Sequence, residues 1–147
     1  MKRILAIIPA LMIATTSLAA DQKNITSDKA VDQCLEKYYE FSSECLEDLN
    51  DKTEAELKKA YETKLNALEH FDYTTWWMGD EDRKKRMIEA FRKNQRDWLT
   101  YRDGYCDVAT TSAQGTHFLG AASVGCNINM NKRRIREIEM INVTGGQ

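Results

Sequence analysis

Cysteine is the residue type in this chain whose number and spacing most directly suggest chemistry. The 147-residue sequence contains four cysteines, which are Cys34, Cys45, Cys106 and Cys126. A zinc site would need closely spaced ligands, but no CxxC occurs and the only histidines are His70 and His117. A catalytic pair of Cys106 and His117 would need a free thiol, which is uncommon in an exported protein. An even number of cysteines in an oxidising compartment predicts two disulfides and no metal site.

The amino-terminal residues indicate that the protein is exported to an oxidising compartment. Residues 1–20, MKRILAIIPALMIATTSLAA, combine Lys2 and Arg3 with an apolar stretch that is too short to span a bilayer. The sequence Ser-Leu-Ala that ends at Ala19 fits the small-x-small rule for signal cleavage. We therefore interpret residues 1–20 as a secretory signal peptide. We expect an exported mature chain, periplasmic or extracellular, without a membrane span.

The spacing of the cysteines constrains how they pair. In a continuous helix Cys34 and Cys45 would lie roughly 16 Å apart, whereas a disulfide needs Cα atoms within about 7 Å. Either the helix breaks between them or each pairs elsewhere, and the serines at 42–43 favour a break. We therefore expect a Cys34–Cys45 bridge. A Cys106–Cys126 bridge would close a loop of about twenty residues and contribute on the order of 3 kcal/mol in the chain-entropy model.

Apolar residues recur every three or four positions along most of the mature chain, which is typical of amphipathic helices. We predict helices over about 28–41, 44–71, 83–103 and 127–141. Thr26 or Ser27 is expected to cap the first helix. The predicted fold is all-α, an antiparallel hairpin of two long helices with short flanking helices, stapled by two disulfides. We expect residues 21–33 to form a polar arm and the helix start, 34–141 the helical domain and 142–147 a flexible tail.

The second long helix carries polar residues in its packing stripe. Gln95, Trp98 and Arg102 follow each other at steps of three and four, and Asp103 is adjacent. A buried glutamine must be hydrogen-bonded and a buried arginine must be paired. The candidate partners of Arg102 are Asp48, Glu54 and Glu62 on the facing helix and Asp103 beside it. We predict a structural polar seam that fixes the register of the helices.

Two connecting segments carry aromatic side chains that could contact a partner. In FDYTTWWMGDED, which joins the two long helices, Trp76 and Trp77 either cover the end of the core or form an exposed anchor. Residues 104–125 are mostly small and polar but contain His117 and Phe118. We take these four side chains as candidate partner-binding residues.

Charge is unevenly distributed along the mature chain. Residues 21–82 hold 17 acidic and 7 basic side chains, a net −10, whereas residues 83–147 hold 6 acidic and 12 basic ones, a net +6. Either an acidic helix packs beside a basic one, or the acidic face meets a basic partner. No basic stripe stands apart from the predicted core helices, which argues against nucleic acid as a partner.

Motifs of known catalytic chemistry are missing from the sequence. GxSxG, HExxH and a glycine-rich phosphate loop do not occur. Carboxylates are plentiful, but the pattern places them on solvated helical faces and singles out no glycosidase pair. We therefore expect a binding protein without enzyme activity or cofactor.

The segment with the polar seam resembles a family motif. QRDWLTYRD, residues 95–103, followed by Cys106 is similar to the Gln-Arg-x-Trp-(Leu/Ile)-x-(Phe/Tyr)-Arg-Asp-x-x-Cys core of the LprI-like lysozyme inhibitor family. The resemblance spans about 34–141. Its other matches, in order, are Cys34, Cys45, Leu57, Tyr61, Gly115, Gly120, Cys126, Arg134 and Ile138. The chain departs from the pattern at Lys58, where asparagine is usual, and in SAQGTHFLGAAS, which replaces a Gly-Gly-Ser loop.

The resemblance implies an exported helical domain that binds a protein partner and inhibits a lysozyme-type muramidase. Lysozymes are commonly basic, so an acidic face over residues 44–72 would steer association. The loops at 71–82 and 107–125 are candidates to occlude the enzyme's glycan-binding cleft. The alternatives are an immunity or envelope-stress protein that binds another cell-wall-acting enzyme, and a structural envelope domain without a specific partner.

Overall fold

The computed structural model describes residues 24–75 and 79–143, and all regular structure in these residues is helical. The helices are α1, Lys29–Tyr38; α2, Ser43–His70; α3, Glu81–Ala109; and α4, Leu119–Glu139. Short 3₁₀ turns occupy Tyr39–Phe41, Tyr73–Thr75 and Thr111–Ala113. The all-α prediction with two disulfides is confirmed.

Several predicted features lie outside the described residues. These are the signal peptide at 1–20, the tryptophans Trp76 and Trp77, and the last residues of the tail, 144–147. No helix in the part of the chain that the structure describes is long and apolar enough to cross a bilayer.

Helix α1 begins directly after Asp28, whose carboxylate accepts a hydrogen bond from the backbone N–H of Ala30 at 2.8 Å. The prediction of Thr26 or Ser27 as the cap is therefore wrong. Asn24 instead holds Thr26 in a preceding turn by accepting from its backbone N–H and its hydroxyl. Aspartate suits the cap position because its charge also interacts favourably with the helix dipole.

The chain turns sharply between α1 and α2. Helix α1 stops at Tyr39, whose φ of 46° is a value that residues other than glycine rarely adopt. The turn brings Cys34 and Cys45 to a Cα separation of 5.8 Å, where they form a disulfide. The predicted local bridge is confirmed, and the helix breaks slightly earlier than the two serines suggested.

Helices α2, α3 and α4 form a core in which α3 runs antiparallel to the other two. Glu54 of α2 contacts Arg102 of α3, and Glu69 of α2 contacts Arg92 of α3. Residue numbers therefore increase along α2 while those of the contacting residues on α3 decrease, as in an antiparallel pair. Side-chain contacts from α2 to α4 and the residues just after it keep a constant offset of 77 residues, which makes these two helices parallel.

Helices α3 and α4 are both longer than we expected from the sequence. We predicted that α3 would end near Asp103 and that residues 104–125 would form a loop, but α3 continues to Ala109 and α4 begins at Leu119. Tertiary packing outweighs the weak helix propensity of glycine and the small polar residues here. The cysteines on these two extensions are buried and form the predicted Cys106–Cys126 disulfide, with Cα atoms 5.8 Å apart.

The interior consists of two apolar clusters, each with a disulfide. The larger lies between α2, α3 and α4, and its buried members are Leu57, Leu68, Phe91, Trp98, Cys106, Cys126, Met130 and Ile138. The smaller joins α1 to the first turns of α2 and α4, and its buried members are Val31, Cys34, Leu46, Ala121 and Ile128. The smaller cluster fixes the corner after α1 against the start of α4.

Candidate functional site

The predicted polar seam is a buried network around the indole ring of Trp98. Arg102 is only 8% exposed and lies with its guanidinium carbon 5.7 Å from the ring centroid. It donates hydrogen bonds to Glu54 on α2, to Asn131 on α4 at 2.9 Å and to the adjacent Asp103 at 3.0 Å. One side chain thus connects all three core helices.

A second arginine, which belongs to α4, lies against the same indole ring. The guanidinium carbon of Arg134 lies 5.6 Å from the centroid of Trp98. Arg134 donates to Gln95 at 3.0 Å, to Glu137 at 3.0 Å and to Asn94. Gln95 therefore receives the hydrogen bond that a buried glutamine requires.

The polar groups of this network are hydrogen-bonded to one another, and we infer that the network stabilises the fold. Both guanidinium groups are paired with carboxylates, so neither is available to an external anion. In the sequence, Arg134 stood out only as one match to the family pattern, and Asn131 was not singled out. The available signal was the four-residue step from Met130 through Arg134 to Ile138, since all three are buried.

The segment before α1 packs closely on α4. Asn129 donates to the carbonyl oxygens of Ile25 at 2.8 Å and Ser27 at 2.9 Å. A Cβ atom at Gly125 would lie 2.0 Å from the carbonyl oxygen of Thr26, so only glycine fits there. These contacts place the cap of α1 and hence the whole short helix.

Asp28 anchors the same segment electrostatically. Its carboxylate pairs with Lys132 of α4 at 2.9 Å. Burial raises the pKa of Asp28, but hydrogen bonds from Lys132 and from the backbone N–H of Ala30 outweigh it, so the pKa lies below its usual value. Asp28 is therefore held in the charged form that the helix start favours.

An open cleft of about 570 Å³ lies where α1 turns into α2. It is lined by Leu35, Glu36, Tyr39, Ser42, His117 and Phe118. The Tyr39 side chain is 75% exposed and that of Phe118 is 52% exposed, whereas Ser42 is buried. Large apolar side chains at this degree of exposure are typical of interaction sites when they cluster.

The first wall of the cleft is the corner after α1. The backbone N–H of Tyr39 donates to the carbonyl of Leu35, which closes the last helical turn. The Cys34–Cys45 disulfide joins the helices on either side of the corner. The unusual backbone of Tyr39 is thus held by covalent and hydrogen-bonded neighbours, as a strained position requires.

The second wall is the turn that precedes α4. Gly115 has φ 72°, which suits glycine. The Thr116 hydroxyl donates to the carbonyl of Ala113 at 2.7 Å and accepts from the backbone N–H of Phe118 at 3.2 Å. The rings of His117 and Phe118 contact each other with centroids 3.9 Å apart. The connection we expected to be a long flexible loop is a short, hydrogen-bonded turn.

The two walls differ in charge. Residues 28–51, which include α1 and the beginning of α2, hold 8 acidic and 2 basic side chains, a net −6. Glu36 on this wall makes no ion pair within the described residues. The turn at 110–118 carries His117 and otherwise no ionisable side chain. The cleft is therefore acidic on one side and aromatic on both.

The candidate partner-binding residues divide into two groups. His117 and Phe118 line the cleft, whereas Trp76 and Trp77 lie outside the described residues. Tyr39 was not predicted, because we read it as part of the apolar face of a longer first helix. The available signal was the aromatic run YYEF immediately before the serine pair. Among the described side chains, no three His, Cys, Asp or Glu residues gather as a metal site.

Comparisons with known proteins agree with the resemblance seen in the sequence. The family model described as lysozyme inhibitor LprI matches residues 34–138, a stretch that includes both disulfides and the arginines around Trp98. An uncharacterized protein from Rhizobium meliloti (strain 1021) is 32% identical over 87 residues, which are 58% of this chain. The matched region spans 60% of that relative's length. No solved structure matches the chain.

Proposed function

The chain belongs to the LprI lysozyme inhibitor family, and on that premise we propose that it inhibits a lysozyme-type muramidase by occluding its glycan-binding cleft. The activity is binding rather than catalysis, and the partner is a protein. The two disulfides are consistent with an exported chain. We propose the periplasm or the extracellular space as its location.

The observation that carries this proposal is the cluster of exposed aromatic side chains at the acidic end of the molecule. Tyr39, Phe41 and Phe118 are all more than half exposed. Aromatic anchors of this kind dominate the energetics of many protein interfaces. The net charge of −6 over residues 28–51 would attract a basic enzyme and orient the encounter.

The test is inhibition of a purified c-type lysozyme by the purified, oxidised protein. We expect inhibition near a one-to-one molar ratio. Phe118→Ala should raise the inhibitory concentration by about tenfold, the effect of losing one interface anchor. Met140→Ala is the matched control, because Met140 is also exposed but follows the far end of α4. It should change inhibition by less than about twofold.

Two results would contradict the proposal. A folded, oxidised protein that leaves the lysozyme fully active at a large molar excess would exclude inhibition of that enzyme class. The next partners to test would then be other wall-acting enzymes, as expected of an immunity or envelope-stress protein. Equal inhibition by the two alanine variants would move the contact away from the cleft, and variants of Trp76 and Trp77 would be next.

A further inference from the structure

The cleft beside α1 has the composition of a site for a single cationic side chain. We propose that it captures one arginine of the basic protein partner, with the guanidinium paired to Glu36 and stacked against Tyr39 or Phe118. This inference rests on the proposed function for the identity of the partner as a protein. Its chemistry is testable separately.

The lining of the cleft matches the parts of an arginine side chain. A guanidinium group pairs with carboxylates and stacks on aromatic faces, while its methylene stem prefers apolar contacts. The cleft offers Glu36 for the charge, Tyr39 and Phe118 for the planar face and Leu35 for the stem. These groups come from two separate chain segments that meet only in the folded protein.

The protein already holds arginine side chains internally with the same combination of groups. At Trp98 an aromatic ring and nearby carboxylates hold Arg102 and Arg134, at 5.7 and 5.6 Å from the ring centroid. In the cleft the carboxylate and the rings are present, but the cation is not supplied by the described residues. The neighbouring Lys37 places its ammonium 4.8 Å from the centroid of Tyr38, which does not line the cleft.

The backbone conformation of Tyr39 also favours a binding role for its ring. Its φ of 46° is unfavourable for a tyrosine, and glycine would adopt it without cost. The strained residue is nevertheless a large aromatic one, and its side chain is 75% exposed. Strain that presents an exposed ring to solvent indicates a role in binding rather than in folding.

The charge around the cleft favours a cation over a neutral glycan. Aromatic rings beside a carboxylate could also receive a sugar, but a sugar gains little from a net charge of −6 over residues 28–51. A basic side chain gains both the local ion pair and long-range attraction. Binding that weakens with added salt is therefore the signature we expect.

The first experiment compares Glu36→Gln with Glu47→Gln in calorimetric binding to a c-type lysozyme. Both glutamates are exposed and each variant removes one negative charge, but Glu47 does not line the cleft. We expect Glu36→Gln to weaken binding by about tenfold and to reduce its salt dependence, and Glu47→Gln to weaken it by less than about threefold. Equal effects of the two variants would overturn the arginine site while leaving inhibition intact.

The second experiment does not depend on lysozyme. The protein is titrated by NMR with the peptide acetyl-Gly-Arg-Gly-amide, with its citrulline counterpart, which is isosteric and uncharged, and with chitotriose. We expect the arginine peptide alone to shift the resonances of Tyr39, His117 and Phe118, and Glu36→Gln to abolish the shifts. Equal responses to the two peptides, or a response to chitotriose only, would overturn the proposal. A positive arginine response without lysozyme inhibition would retain the site and refute only the proposed enzyme partner.

Discussion

The network around Trp98 and the cleft beside α1 both combine aromatic rings with carboxylates, but among the described residues only the network around Trp98 also contains its cations. Around Trp98, two arginines are buried, and each is paired with a carboxylate that is only partly covered. In the cleft, Tyr39 and Phe118 flank Glu36 and remain exposed, with no cation from the described residues. The difference distinguishes groups that stabilise the fold from groups that are left available to a partner.

The supporting elements differ in the same way. The buried network lies in the middle of long helices, where packing fixes each side chain on several sides. The cleft lies on a corner and a turn, which depend on a disulfide, a glycine and a few local hydrogen bonds. Loops held by a rigid scaffold are where binding residues are usually found.

The largest effect should come from removing the charge at the centre of the buried network. We expect Arg102→Ala to lower the free energy of unfolding by about 3 kcal/mol, because the buried Asn131 oxygen loses its donor and Glu54 keeps, among the described residues, only the hydrogen bond from the Asn131 amide. Arg92→Ala is the control, since Arg92 also pairs across α2 and α3, with Glu69, but the Arg92 side chain is itself exposed. It should cost less than about 1 kcal/mol. Urea unfolding of the oxidised proteins measures both, and equal costs would mean that the buried network adds no stability of its own.

A smaller but clear effect is expected where the amino-terminal segment meets α4. Gly125→Ala forces a methyl group against the backbone of Thr26, and we expect a loss of about 2 kcal/mol. Gly120→Ala on the same helix meets nothing within 4 Å and should be neutral or stabilising by about 0.5 kcal/mol. Thermal unfolding followed by circular dichroism gives both values. A neutral Gly125→Ala would show that the segment can move away at little cost, and then α1 and the cleft would not be firmly positioned.

The packing face of the buried region was largely predictable from the sequence. The three- and four-residue steps placed Phe91, Gln95, Trp98 and Arg102 on one face of a helix, and all four are buried. That pattern is strong because it repeats over several turns of one helix. The spacing of Cys34 and Cys45 left two possibilities, a helix break between them or pairing elsewhere, and the structure contains the break that the serines favoured.

The cleft could not be predicted in the same way. Its two walls are about 80 positions apart in sequence, at Tyr39 and Phe118, and no local pattern relates them. The small residues between Cys106 and Cys126 suggested a loop, but α3 and α4 both extend into this segment, where Thr110, Ala121 and Gly125 are buried. Helix propensity is a local quantity, whereas the packing that overrides it depends on the whole fold.

The Tyr39 backbone allows stability and binding to be separated. Tyr39→Gly removes the penalty of a positive φ, which outweighs the backbone freedom that glycine adds to the unfolded chain, and we expect the free energy of unfolding to rise by up to about 1 kcal/mol. The same change removes an aromatic wall of the cleft and should weaken lysozyme inhibition by about tenfold. Tyr39→Phe keeps the ring and should leave the unfolding free energy unchanged and inhibition within about threefold. If Tyr39→Gly lowers stability instead, the strain argument for the cleft is wrong.

The smallest expected effect compares two carboxylates at α1: Asp28, which caps the helix and pairs with Lys132, and Glu36, which pairs with no described residue. Because the folded-state pKa of Asp28 is lowered, its charge stabilises the fold above the unfolded pKa of about 3.9, and this contribution is lost as pH falls through the folded-state value. Asp28→Asn keeps a capping side chain but loses the pairing with Lys132, so we expect it to cost about 1 kcal/mol at pH 7. The difference from wild type should shrink as the pH is lowered below about 4 in a series of urea unfolding curves.

Glu36→Gln should stay within about 0.5 kcal/mol of wild type at pH 7, because that carboxylate lines an open cleft and pairs with no described residue. A cost at Glu36 equal to that at Asp28 would show that Glu36 belongs with the paired groups of the fold, and the contrast between the two regions would fail at its most direct point.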